Sequence, residues 1–185
     1  MTLISNSSVS NRKVILYIAM SLDGFIATQD NDLSFLSDME QEGQDYGYGD
    51  FIKTVDTVII GRKTYDQVLS MGFDYPHTDK EVYIVTRTPR KSIGSFHFYT
   101  GELPALVTEL KQKQGLHIYC DGGAEIVNEL QRFQLIDEYI VSVIPVLLGD
   151  GIRLFKTGQQ EQKLQLVSSK SFEKGLAQLH YQSIK

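Results

Sequence analysis

The chain has 185 residues, 42% of them hydrophobic and 22% charged, with a formal net charge of −5. This suits one globular domain with a sizeable core, and the acidic balance argues against broad nucleic-acid binding while allowing a local basic pocket. The single Cys120 permits no intrachain disulfide, and His77, His97, His117 and His180 are scattered without zinc-ligand spacing, so no metal site is expected.

Met1 to Arg12 is rich in Ser and Asn and lacks a long apolar segment. It reads as a disordered tail rather than a signal peptide, ahead of a domain spanning 13–185. No apolar run approaches a membrane span, and a cytoplasmic, reducing location is expected.

Val14 to Met20 opens the ordered chain as a run of strand formers, followed by a Ser21-Leu22-Asp23-Gly24 turn and a brief apolar return at Phe25-Ile26-Ala27. Thr28 to Asp32 is a polar loop, after which Leu33, Phe35 and Leu36 point apolar groups back at the body. The segment Gln41–Asp50 should lead into a short helix containing Phe51, Ile52 and Val55, weakened by Gly47 and Gly49. Val58, Ile59 and Ile60 have the β-branched composition of a strand buried on both faces. Gly61 breaks that run, and Tyr65, Val68 and Leu69 then follow a helical period.

Met71 to Asp79 reads as a loop, Val82 to Val85 as a strand ending in the basic turn Thr86–Lys91, and Phe96 to Tyr99 as a further strand. Glu102 to Lys113 is a helix with the stripe Leu103, Leu106, Val107 and Leu110, stopped by Gly115. His117 to Cys120 is a strand closed by Asp121-Gly122-Gly123, and Ala124 to Phe133 a helix burying Ile126, Val127, Leu130 and Phe133. Glu138 to Val146 is β-rich with an interruption at Pro145, and Leu147 to Gly151 is a loop. Leu164–Ser171 and Leu176–Tyr181 form two strands joined through Gly175, which favours an antiparallel hairpin. Alternating elements in the middle and strands alone at the end predict an α/β fold: a parallel-centred mixed sheet, helices on both faces, and an antiparallel C-terminal edge.

Ligands of open α/β sheets sit beyond the carboxyl ends of the parallel strands. Three such ends carry phosphate-compatible chemistry: Gly61-Arg62-Lys63-Thr64, Thr86-Arg87, and Asp121-Gly122-Gly123-Ala124. Two cations at a helix start oppose the local dipole unless an anion binds there. The alternatives are a solvated basic turn, a surface Arg87 and plain Gly-Gly turn chemistry. Neither Gly-x-Gly-x-x-Gly nor the Walker pattern is present, so a dinucleotide site would be built another way.

Four ordered motifs, Ala19 to Ala27, Val58 to Tyr65, Tyr119 to Glu125 and Ile144 to Gly151, resemble the dihydrofolate-reductase-like superfamily, above all its riboflavin-biosynthesis reductase branch. The resemblance runs from about Val14 to the C-terminus. It implies an eight-stranded sheet and an NADPH-dependent oxidoreductase of dihydrofolate reductase or 5-amino-6-(5-phosphoribosylamino)uracil reductase type. It assigns cofactor contacts to Ala19, to Gly61, Arg62, Lys63 and Thr64, to Thr86 and Arg87, and to Gly122, Gly123, Ala124, Glu125 and Ile126. Thr86 and Arg87 would hold the 2′-phosphate, and the Gly-Gly turn the pyrophosphate. Ser34-Phe35 stands where related small members often carry Asp-Trp, a departure at the substrate contacts. The accompanying deaminase domain is absent from this sequence.

Reducing a C=N bond needs a proton as well as a hydride. The dihydrofolate reductase carboxylate has Asp45 as its nearest counterpart by position, and Asp23 in the first turn is the second candidate. Their plain readings are an N-cap and a turn-former. Tyr46 and Tyr48 are placed to stack on a planar substrate or to pack as half-buried helix residues. Leu147 to Gly151 would line the substrate mouth or meet a partner subunit, and the β-rich C-terminal half suits a homodimer. The leading expectation is an NADPH-dependent reductase of a pterin, pyrimidine or similar heterocycle. The alternatives are a catalytically silent nucleotide-binding module and a phosphate-binding structural subunit.

Overall fold

The computed structural model describes residues 11–184. The expected tail lies outside the described residues up to position 10. At its far end Arg12 is buried and hydrogen-bonded, so the ordered structure begins before Val14. The strands are β1 (Val14–Ser21), β2 (Phe25–Ala27), β3 (Val55–Gly61), β4 (Glu81–Val85), β5 (Phe96–Tyr99), β6 (His117–Gly122), β7 (Glu138–Ile144), β8 (Ile152–Arg153), β9 (Leu164–Ser171) and β10 (Ala177–Ser183). The helices are α1 (Tyr48–Lys53), α2 (Arg62–Ser70), α3 (Leu103–Gln112) and α4 (Ala124–Arg132), with a 3-10 helix at Ser34–Met39.

Eight strands form the main sheet in the order β5-β4-β3-β6-β1-β7-β10-β9. The pairs from β5 through β7 are parallel; β10 is antiparallel to β7 and β9 antiparallel to β10. The antiparallel C-terminal edge expected from the order of elements is therefore present. Val58, Ile59 and Ile60 are each 0% exposed, as a two-sided strand requires. Side chains alternate across a strand. Ile59 thus joins the α3 and α4 face with Leu106, Leu110, Val127 and Leu130, while Val58 and Ile60 join the opposite face with Phe51 and partly buried Tyr65 and Val68.

Several local expectations are corrected. Val55 starts β3 instead of ending α1. Gly115 does not cap α3, which ends at Gln112 with an extended Lys113; at φ +154°, a Cβ on Gly115 would lie 2.3 Å from Asp56 Oδ2. Close approach is what requires glycine there. Phe133 lies just past α4 and is 48% exposed, with the Arg132 guanidinium 5.4 Å from its ring centre. β6 runs through Asp121 and Gly122 rather than closing at Cys120. The short β8 carries no sequence signal; it pairs with β2, and its Arg153 sits 4.8 Å from the Phe25 ring centre.

Candidate functional site

Because β4, β3 and β6 are neighbours, the strand ends carrying Thr86, Gly61 and Gly122 lie side by side. α2 starts directly after Gly61 and α4 directly after Gly123, and neither helix has a side-chain N-cap. Two sets of first-turn amides are thereby left for an anion or solvent. A Cβ on Gly61 would lie 3.2 Å from Ile126 Cγ1 and 3.7 Å from Gly123 N, and one on Gly123 would lie 2.8 Å from Thr64 Oγ1. Glycine at these positions lets the two helix starts close on each other. Gly122 takes φ +94°, a left-handed value that strains other residues. The fold thus brings Gly61, Thr64, Gly122, Gly123, Ala124 and Ile126 into one backbone cradle.

The cations around this cradle are unequally engaged. Arg62 and Arg90 both pair with Asp66 at 3.4 Å, and Lys63 reaches Glu125 at 3.4 Å across the two helix starts. The conflict between cations and the α2 dipole is therefore partly relieved within the chain. Arg87 is exposed and, among the described residues, pairs with no carboxylate. Thr86 is buried; its hydroxyl accepts from Thr88 N at 3.1 Å and lies 3.3 Å from Thr88 O. Thr86 thus shapes the turn that presents Arg87.

On the α1 face, at the ends of β1 and β7, lies a cleft of about 630 Å³. Tyr17, Ala19, Asp45, Tyr46, Tyr48 and Ser142 are among its lining residues. Ala19 therefore faces this cleft beside the cradle. Asp45 reaches it from the loop before α1, and its carboxylate accepts from Gly47 N and Gly49 N, each at 2.9 Å. These bonds hold its pKa below the usual carboxylate value. Gly49 makes this possible, since a Cβ there would lie 2.7 Å from Asp45 Oδ2.

Asp23 does not line the cleft. Its carboxylate accepts from Ser21 Oγ at 2.6 Å, Gly149 N at 2.7 Å and Leu148 N at 3.2 Å, which also lowers its pKa. It ties the end of β1 to the Leu147–Gly151 loop, where Leu148 packs in the cluster of Phe35 and Met39. The two candidate carboxylates are thus not brought together.

The tyrosines have their own partners. The Tyr46 hydroxyl donates to Met39 O, and the Tyr48 hydroxyl lies 3.0 Å from His77 Nε2. Tyr46 precedes α1 with φ +56°, and Tyr48 is its first residue.

A polar network under the cradle has no obvious local sequence signature. Tyr75 and His77, in the segment read as a loop, are 3% and 5% exposed. The Asp121 carboxylate accepts from the Tyr119 hydroxyl at 2.7 Å and from the Tyr75 hydroxyl. Burial pushes the Asp121 pKa up from 3.8, while hydrogen bonds from Tyr119 and Tyr75 and the nearby His77 pull it down. A raised carboxyl pKa in the folded state contributes stability below 3.8 that is lost as pH rises through the folded value. The stability difference between Asp121→Asn and the parent should therefore shift in favour of the variant as pH rises from acid to neutral. Urea unfolding at three pH values measures this, and a pH-independent difference would show that Asp121 titrates normally.

Among the described residues, no His, Cys, Asp and Glu cluster could hold a metal ion, and no helix is long and apolar enough to cross a membrane. The family described as the RibD C-terminal domain matches residues 12–178. A protein of Bacillus subtilis (strain 168), "Uncharacterized protein YwjB", is 44% identical over 92% of this chain and 97% of its own length. The structure of a putative riboflavin biosynthesis protein from Shewanella sp. PV-4 superposes with a TM-score of 0.84 at 28% identity, covering 94% of this chain and 99% of that one. Dihydrofolate reductase from Enterococcus faecalis, solved with NADP(H), shares the fold at a TM-score of 0.61 and 15% identity, covering 94% and 97% of the two chains.

Proposed function

The chain belongs to the RibD C-terminal domain family, and from that premise we propose that it is an NADPH-dependent reductase that delivers a hydride to a planar nitrogen heterocycle. The observation that carries this reading is the juxtaposition of a glycine cradle, formed by two uncapped helix starts, with an open cleft at neighbouring strand ends. A dinucleotide fits that arrangement, with phosphates on the amides and a reactive ring at the cleft. Gly61 to Thr64 and Gly122 to Ile126 would hold the pyrophosphate, and Arg87, on the turn braced by Thr86, the 2′-phosphate. Bound NADPH supplies the hydride.

The chain's own residues then handle position and proton. Tyr17, Tyr46 and Tyr48 bound the acceptor ring. Asp45, kept ionised by the Gly47 and Gly49 amides, orients a water that relays a proton from bulk solvent to the ring nitrogen as the hydride reaches the adjacent carbon. Asp23 holds the adjacent loop in place. The exposed Leu164, Leu166 and Val167 on β9, at the sheet edge, support assembly as a homodimer.

The test is a fluorescence titration with NADPH, followed by NADPH oxidation assays with reducible pterins and aminouracils. Saturable binding with turnover of one of them is expected. Binding without turnover of any would favour the silent nucleotide-binding module, and no saturable binding would overturn the reading.

A further inference from the structure

The two ends of the site differ in charge. Arg62, Lys63, Arg87 and Arg90 surround the cradle end. In the cleft, the charged lining residues are Glu40, Glu42 and Asp45, and no Lys, Arg or His lines it among the described residues. Two lysines lie outside that lining: Lys174 Nζ donates to Asp38 O at 3.0 Å and to Glu40 O at 2.6 Å, and Lys53 pairs with Asp50 at 2.9 Å and also acts on Asp45. A phosphate entering this cleft would meet a lining whose charged residues are all acidic, which opposes it.

Ser142 adds a second, independent constraint. It is 5% exposed and lines the cleft. Its Oγ accepts from Gln178 Nε2 at 3.2 Å, which fixes the hydroxyl on the cleft wall. A hydroxyl held there can still donate its proton to a ligand carbonyl or ring nitrogen. Leu36, Met39, Ile144 and Leu176 supply apolar surface suited to a flat ring.

Resting on the reductase reading above, we infer that the cleft takes an unphosphorylated planar nitrogen heterocycle, uncharged or cationic, that presents a hydrogen-bond acceptor to Ser142. This separates its substrate from a phosphoribosylated aminouracil. Phosphates go to the basic end of the site, and an amine-bearing ring to the acidic end.

Calorimetric titration of the full chain tests this with three probes: 2-amino-4-hydroxypteridine, cytidine and cytidine 5′-monophosphate, each with and without saturating NADP⁺. The aminopteridine and cytidine should bind at least about tenfold more tightly than the monophosphate, since the acidic lining opposes the phosphate. The surface double variant Glu40→Lys/Glu42→Lys should narrow that gap at least about fivefold by strengthening monophosphate binding. Ser142→Ala should weaken aminopteridine binding and leave the monophosphate gap in place. The inference is overturned if the monophosphate binds as well as cytidine, or if neither unphosphorylated probe binds. Failure of NADP⁺ to bind would overturn the reductase reading alone, because the probe ranking is also read without cofactor.

Discussion

Arg12→Ala should lower the unfolding free energy by about 3 kcal/mol, the low end for breaking a buried ion pair, because the Asp56 side chain is 37% exposed and partly screened. The Arg12 side chain itself is 4% exposed. Nε donates to Leu116 O at 2.6 Å, Nη1 to Leu110 O at 3.1 Å, and Nη2 to Thr57 Oγ1 at 2.7 Å and to the Asp56 carboxylate. One guanidinium thus ties the approach to β1 to the end of α3, the loop before β6 and the start of β3. Removing it leaves buried acceptors unpaired, which is the costly direction of loss. Arg12→Lys keeps the charge but not the fork, and should recover only part of the stability. Urea unfolding followed by circular dichroism measures both variants. A loss below about 1 kcal/mol for Arg12→Ala would place this cluster with weak surface pairs.

The elements that were legible in the sequence carry their signal locally. Val58, Ile59 and Ile60 state a two-sided strand by composition, and Leu103, Leu106, Val107 and Leu110 state a helix face by period; all seven are buried as that reading requires. Arg12 illustrates the opposite case. Its Ser- and Asn-rich neighbourhood reads as tail, while its partner Asp56 is 44 residues away and gives no local sign of the pairing. Gly115 likewise looks like a helix stop, but its need for glycine comes from the distant Asp56 carboxylate. Two-residue β8 is too short to show an alternation.

The same division applies to the site. The cradle was legible because glycines and cations fall directly after apolar strands. The cleft was not, since its lining runs from Tyr17 to Leu176 and is assembled by the sheet order alone. Ser142 looks like any polar residue in a strand until its neighbours are known. The Asp121 network was not legible either: Asp121 reads as part of the turn after the strand and Tyr75 and His77 as loop residues, and only the fold extends β6 through Asp121 and brings Tyr75 and His77 against it and Tyr119.

Arg87→Ala should weaken NADPH binding on the order of 10- to 150-fold while leaving NADH binding nearly unchanged, because each hydrogen bond to a charged group is worth roughly 1.5–3 kcal/mol. The two cofactors differ only at the 2′-phosphate, so discrimination must come from groups that touch it. Arg62 and Arg90 already share Asp66, whereas Arg87 has no carboxylate partner among the described residues. Its turn is fixed by the Thr86 hydroxyl bonded to Thr88 and by Pro89, which restricts the backbone beyond it. A pre-positioned guanidinium can make two charge-assisted bonds to one phosphate. Since Arg87 is exposed, the preference should also shrink with added salt. Dissociation constants for both cofactors, in parent and variant and at two ionic strengths, decide the matter. Equal losses for NADH and NADPH would make Arg87 a structural residue, and no loss for either would move the 2′-phosphate to another strand end.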